Sequence, residues 1–403
     1  MRNRLTNSSV SAVAGELAAR VDADRLVHIT MSLLELPSPS GQEGAVAERY
    51  GGVLEEAGLD VVIDREFPES PTVIARLRGG VGRTLQFDGH TDTVAQPHRP
   101  PAVENGEIIG RGAADMKAGL AAMAEAARIL SDIRGRLGGG LLVTAHGQHE
   151  DPVPPHELHA PMFAMFRDRV VGDAAIIAEG PSHEMVVAGK GLCVFDLSFV
   201  RAGEPVHEVM WRDQIPNPIM AAHRFLQLLE ERARTWQVSA DPLLGPETYF
   251  VGAIEAGDYF NRIPVRCRVQ GSRRYPAERS YDDVVAELRA LGRQVEDEFG
   301  LQSQLETMPS GQGFRIDPGE PIVRAVSQAY AELQGRDLPL AGMSLIGNAS
   351  QFNTIARVPT VYHGVDQRTA HSGHEHVAIG DVVRTAQVLI AATVHYLGVS
   401  ALG

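Results

Sequence analysis

Cysteine is scarce: Cys193 and Cys267 lie far apart in 403 residues, so no disulfide framework can be read. Long apolar runs are missing too. The best candidate, residues 386–394, falls well short of the roughly 20 residues that span a bilayer, which excludes membrane insertion. Residues 1–9 are polar, with no apolar leader core and no cleavage signature. These absences point to a cytoplasmic protein with free thiols. Basic charge is short as well, with 37 Lys and Arg against 51 Asp and Glu and a formal net charge of -14. The acidic residues are scattered rather than gathered in a tail, so most of the surface repels a nucleic-acid duplex and that class of partner is set aside. Internal repeats and low-complexity tracts are absent.

What is present is ordinary for a soluble globular protein, with 44% apolar residues. The length exceeds what one hydrophobic core organises, so two domains are expected. Residues 12–34 read as a helix, a Pro-Ser-Pro-Ser-Gly segment breaks it, and 43–57 read as a second helix. Extended segments follow near Val61, Thr72 and 85–88, then an Ala-rich helix to residue 130 and apolar strands at 141–144 and 174–178. This alternation predicts an α/β layer with functional residues on the loops after the strands. From residue 189 the pattern becomes strand (192–200), helix (218–234), strands (248–255 and 265–273), helix (281–299) and strand (302–308). That β-α-β-β-α-β succession marks a small inserted sheet-and-helix domain at 189–309, with 1–188 and 310–403 forming the first domain. A helix at 321–333, strands near Val361 and a closing helix at 380–396 complete the first domain.

Five short segments carry chemistry. Phe87-Asp88-Gly89-His90-Thr91-Asp92 delivers a His-x-Asp from a strand into a loop, where Asp92 can hold the second nitrogen of a histidine ligand. Gly110-Arg111-Gly112-Ala113-Ala114-Asp115-Met116-Lys117 presents one carboxylate before a helix. His146-Gly147-Gln148-His149-Glu150-Asp151 follows an apolar strand, Glu179 ends another, and His371 sits in Ala370-His371-Ser372-Gly373-His374-Glu375. Singly, each has a bland reading: a surface turn, a helix N-cap, a solvated loop. Together, two histidines and three carboxylates after successive strands supply the nitrogen and oxygen donors that suit zinc, manganese or cobalt.

This ordered set, His-x-Asp, Gly-Arg-Gly-x-x-Asp-Met-Lys, an acidic pair, a strand-end Glu and Ala-His-x-x-x-Glu, resembles the M20 family of metallopeptidases from Leu36 to Glu375. The resemblance implies an α/β catalytic domain, with a mixed sheet flanked by helices, interrupted by an α+β ferredoxin-like lid that dimerises. It implies a homodimer or higher homo-oligomer and one or two divalent ions per subunit. Asp115 would bridge the ions, with His90 and Glu179 on one and Glu150 and His371 on the other, Asp92 orienting His90, and a cis peptide after Asp115. His207 would reach the partner subunit's active site and steady an oxyanion. Asn261 and Arg274 would bind a substrate carboxylate, with Arg273 as the rival for the arginine role. Trp211 and Arg212 would add an aromatic and cationic wall.

Three positions depart from the family pattern. His149 stands where a general-base glutamate is expected, Asn348-Ala349 replaces an Asp-Ala pair, and 363–367 lacks a Gly-Pro. An imidazole, with an ordinary pKa of about 6.5, can accept a proton near neutrality or become a ligand. The expected activity is hydrolysis of an amide in a small, carboxylate-bearing molecule by metal-activated water, with His149 shuttling the proton to the leaving amine. Two alternatives remain: hydrolytic deamination of an aminobenzoate-type amine at the same site, and a non-catalytic protein that binds metal or ligand.

Overall fold

Asp22 cuts the apolar period of residues 12–34 in two: its side chain accepts from the backbone N–H of Asp24 and Arg25 and starts a new helix. The chain therefore opens with α1 (Asn7–Ala18) and α2 (Ala23–Leu34) instead of the one expected run. The computed structural model describes residues 6–210 and 215–401. It divides into two units: the first runs to Val187 and resumes over Ile316–Ala341 and from Gly347 on, and the second comprises Ala188–Arg315 and Gly342–Ile346.

The first unit continues with α3 (Gly44–Glu56), β1 (Asp60–Asp64), β2 (Thr72–Leu77), β3 (Thr84–His90), β4 (Ala102–Glu104) and β5 (Glu107–Ile109). A π-helical turn, Ala113–Lys117, leads into α4 (Ala118–Ser131), and then come β6 (Gly140–His146), α5 (Ala160–Arg167), β7 (Ala174–Glu179) and β8 (Met185–Gly189). The second unit supplies β9 (Gly191–Val200), β10 (Val206–His207), α6 (Pro218–Trp236), β11 (Thr248–Ala256), β12 (Arg262–Ile263), β13 (Arg266–Tyr275), α7 (Tyr281–Phe299), β14 (Gln302–Gly311) and β15 (Phe314–Arg315). The chain then forms α8 (Pro321–Gln334), β16 (Leu340–Met343), α9 (Asn348–Gln351), β17 (Thr360–Val365), β18 (His376–Ala378) and α10 (Ile379–Leu397).

In the first unit the strands order as β1-β2-β6-β3-β7-β17-β8. The middle four, β6, β3, β7 and β17, are parallel, and the margins are antiparallel. Strand β7, Ala-Ala-Ile-Ile-Ala-Glu, is buried at every position, as a central parallel strand covered on both faces must be. Helix α4 packs against β3, β6 and β7, and all but one of its residues are buried. Alanine and glycine make that approach possible: a Cβ on Gly119 would stand 2.2 Å from the carbonyl oxygen of Ala178. The sheet is mixed and flanked by helices, and the C-terminal ends of its parallel strands gather the chemistry-bearing loops.

The second unit is a four-stranded antiparallel sheet, β11-β13-β9-β14, with α6 and α7 against it. Its core is apolar, with Phe195, Phe199, Phe225, Leu229 and Leu288 fully buried. Arg273 is the exception within that interior. Its guanidinium donates to Glu247 and Glu287 at 2.7 Å each and lies over the Trp236 ring at 3.7 Å. The expectation that Arg273 binds substrate is therefore corrected: the side chain is fully buried and its charge is committed to two glutamates. Cys193 and Cys267, both in this unit, are free and buried. Among the described residues no helix is long and apolar enough to cross a membrane.

Candidate metal centre

Five distant side chains of the first unit converge. His90 ends β3 and Glu179 ends β7, Glu150 follows β6, His371 follows β17, and Asp115 sits in the turn before α4. The two oxygens of Asp115 have different neighbours. Its Oδ1 lies 3.1 Å from His90 Nε2, which is also 3.4 Å from Glu179 Oε2. Its Oδ2 lies 3.1 Å from His371 Nε2, which is 3.2 Å from Glu150. All except half-exposed His371 are largely withdrawn from solvent. The Asp115-Met116 peptide is cis.

Asp92 is a hub. Its Oδ2 accepts from the Ser40 hydroxyl at 2.6 Å and from the backbone N–H of His149 and Glu150 at 2.9 Å each. It thus fixes the loop that carries both residues. Toward His90 it offers two oxygens: Nδ1 lies 3.1 Å from its backbone carbonyl and 3.4 Å from Oδ1. The carbonyl makes the closer contact in orienting the ring. His149 stacks on His90, with ring centroids 4.1 Å apart, and its Nδ1 is 2.8 Å from Asn348 Oδ1.

Four carboxylates packed around these imidazoles make a strongly anionic centre, and the proton affinities show it. Bonds to Asp115 and Glu150 push His371 up to about 10. Burial pulls His90 down, but its bonds to Asp115, Asp92 and Glu179 win and hold it well above the usual imidazole range. Burial likewise pushes Asp115 and Asp92 up, and their histidine partners hold both well below the carboxylate range. A site that draws protons onto its histidines this strongly is one that a divalent cation satisfies, and mixed nitrogen and oxygen donors fit zinc, manganese or cobalt. The ligand atoms of His90, Asp115 and Glu150 lie within 4.8 Å of one another, as do those of His90, His149 and Glu179.

Three supports were not assigned roles from sequence. Glu375 accepts the backbone N–H of Ala114 at 3.1 Å and of Asp115 at 3.0 Å through Oε1. Its spacing from His371 in Ala-His-x-x-x-Glu is a signal that could have identified it. Gln367 donates to Asp115 Oδ1 at 3.0 Å and Glu179 Oε2 at 3.3 Å, and no local pattern marks it. Lys117 ends the Asp-Met-Lys motif with its ammonium buried on the carbonyls of Leu33 and Leu36, at 3.0 and 2.8 Å, and burial brings it down to about 7.

The other predicted residues belong to the second unit. His207 is exposed on β10, and the Asn261 amide donates to its Nε2 at 3.0 Å. Arg274 is half-buried and donates to the carbonyl of Ser344. Trp211 and Arg212 lie outside the described residues.

The sequence matches the family model described as peptidase family M20/M25/M40 over residues 87–395. N-formyl-4-amino-5-aminomethyl-2-methylpyrimidine deformylase of Bacillus subtilis is 23% identical, covering 91% of this chain and 93% of its own. A succinyl-diaminopimelate desuccinylase of Cereibacter sphaeroides is 26% identical, covering 88% and 94%. Among solved structures, aminopeptidase PepT of Bacillus cereus has a TM-score of 0.79 at 20% identity, covering 93% of this chain and 99% of that one. The YXEP protein of Bacillus subtilis, described as a dinuclear metal-binding peptidase, has a TM-score of 0.72 at 16% identity, covering 93% and 98%. Both structures share the fold.

Proposed function

The chain belongs to peptidase family M20/M25/M40, whose members are metal-dependent hydrolases of carbon–nitrogen bonds, and from that premise we propose that it removes the acyl group from a small N-acylated amine or amino acid. The observation that carries this reading is the division of Asp115 between two donor sets, His90 with Glu179 and His371 with Glu150. Those residues would hold two divalent ions with Asp115 between them. When bound, such ions supply Lewis acidity that makes water a competent nucleophile near neutral pH. The names of the deformylase and desuccinylase relatives, each describing loss of an acyl group from an amine, support the substrate class.

His149 is the proton carrier in this reading. Its backbone is anchored on Asp92 and its ring is held between His90 and Asn348. It takes the proton of the attacking water as the oxygen–carbon bond forms, and returns it to the amine nitrogen as the carbon–nitrogen bond breaks. His90 and Asp92 orient each other and so keep the donor set in register.

The test is a substrate screen on purified protein loaded with manganese, zinc or cobalt. N-formyl, N-acetyl and N-succinyl amines and amino acids, dipeptides and aminobenzoates are offered while amine and ammonia release are followed. Release of the free amine from acylated compounds is expected. Ammonia from aromatic amines alone would overturn the proposal, as would silence on every compound despite tight metal binding.

A further inference from the structure

Behind the metal residues runs a hydrogen-bond chain with one direction. The backbone N–H of Gly172 donates to Gln86 Oε1 at 2.9 Å, which turns the amide so that Nε2 donates to Thr144 Oγ1 at 2.7 Å. The Thr144 hydroxyl accepts there and gives its single proton to Asp88 Oδ1 at 2.5 Å. Asp88 Oδ2 accepts from Asn348 Nδ2 at 3.1 Å, and the second proton of that amide is placed toward His146 Nε2 at 3.2 Å. His146 Nδ1 lies 3.4 Å from the Gly147 carbonyl, and its Nε2 also stands 3.5 Å from Asp88 Oδ2. Asn348 Oδ1 is thereby left facing His149 Nδ1 at 2.8 Å. An amide oxygen only accepts, so the proton of that bond sits on Nδ1. Gln86, Thr144, Asp88 and Asn348 are all fully buried, and water does not compete for these positions.

We infer that Asn348 is a positioning residue: it holds His149 in the Nδ1–H tautomer and leaves Nε2 as the nitrogen with an available lone pair, on a ring stacked against His90. Two of the three departures from the family pattern, His149 and Asn348, are thus the two ends of one hydrogen bond. An imidazole has a ring proton to place where a carboxylate base has none, and the amide oxygen takes it. A carboxylate at position 348 would confront Asp88, whereas the amide donates to it. The effect on rate rests on His149 being the base; the tautomer does not.

Histidine-selective 15N labelling with two-bond 1H–15N correlation spectra reads the tautomer directly in chelated protein, and the His149 signals are identified by their loss in His149→Gln. The wild type is expected to show a single Nδ1–H tautomer, and Asn348→Ala a mixture. In the metal-loaded enzyme Asn348→Ala is expected to lower kcat about 10- to 100-fold while KM stays within about threefold. An Nε2–H tautomer in the wild type, or an unchanged spectrum in Asn348→Ala, overturns the inference, and the wild-type spectrum decides even if the variant does not fold. Wild-type turnover by His149→Ala would sink the base reading alone, because the tautomer is measured without substrate.

Discussion

Arg111 donates through Nη1 to Oε2 of Glu375 at 2.6 Å, and this ion pair ties the segment carrying Asp115 to the segment carrying His371. The other Arg111 terminal nitrogen donates to the carbonyl of Ser372 at 2.9 Å, while the second Glu375 oxygen holds the backbone at Asp115. Arg111 and Glu375 thereby set the separation of two proposed ligands, Asp115 and His371. Glu375→Ala is therefore expected to weaken metal binding about 10- to 100-fold, and Glu375→Gln, which keeps an acceptor, to weaken it less. Calorimetric titration with zinc or manganese checks this; equal loss in both variants would argue against the clamp.

Asp115 serves both donor sets, so Asp115→Ala should abolish binding of both ions, while Glu179→Gln and His371→Gln should each spare one. Metal content per chain after desalting measures the difference. Two equivalents retained by Asp115→Ala would contradict the bridging arrangement.

His149→Ala should cost about 100- to 10,000-fold in kcat with metal content unchanged, the range expected for loss of a positioned acid–base group. Loss of an ion in that variant would instead make the imidazole a ligand.

His363 predicts a pH-dependent stability. Burial pulls it down to about 4, and among the described residues its Nε2 has no hydrogen-bond partner. With the unfolded value near 6.5, the unfolded chain takes up the proton first as the pH falls. The stability held by neutral His363 is complete above about pH 6.5 and is lost progressively toward pH 4, on the order of 3 kcal/mol in all. Urea unfolding across this window should show a flatter pH dependence in His363→Leu than in the wild type; identical slopes would refute the assignment.

Arg273→Ala removes the more deeply buried of the two guanidiniums that Glu247 and Glu287 share, leaving both to Arg279, and should destabilise the protein by about 1–3 kcal/mol. Arg273→Met fills the space over Trp236 and should not fully repair the loss, since each glutamate still lacks its buried donor. Denaturant midpoints of the two variants check this.

The five converging positions are legible because each follows an apolar strand or a glycine-flanked turn, signals contained within a few residues. Arg273 and Arg274 show where such signals end. Neighbours on a strand face opposite sides, so one of the pair must point inward, and the register of β13 against β9, with Arg273 opposite Cys193, decides which. That register is a long-range property. The helix at 12–34 divides at Asp22 because one side chain caps a new helix, and an aspartate in a helical pattern reads equally well as a solvated surface residue. Gln367 and the run from Gln86 through Thr144 and Asp88 to Asn348 depend on pairings between segments far apart in the chain, and local patterning does not encode these.

The first unit is interrupted by the second, so its donors emerge from the ribosome in two instalments. His90, Asp115, Glu150 and Glu179 precede the interruption, and Asn348 and His371 follow it. A nascent chain paused between them displays clustered carboxylates without their closing histidine or the amide behind His149. Loading of the second cation would therefore wait for the later segment, and truncation anywhere before residue 371 would remove a proposed donor however well the earlier segments fold.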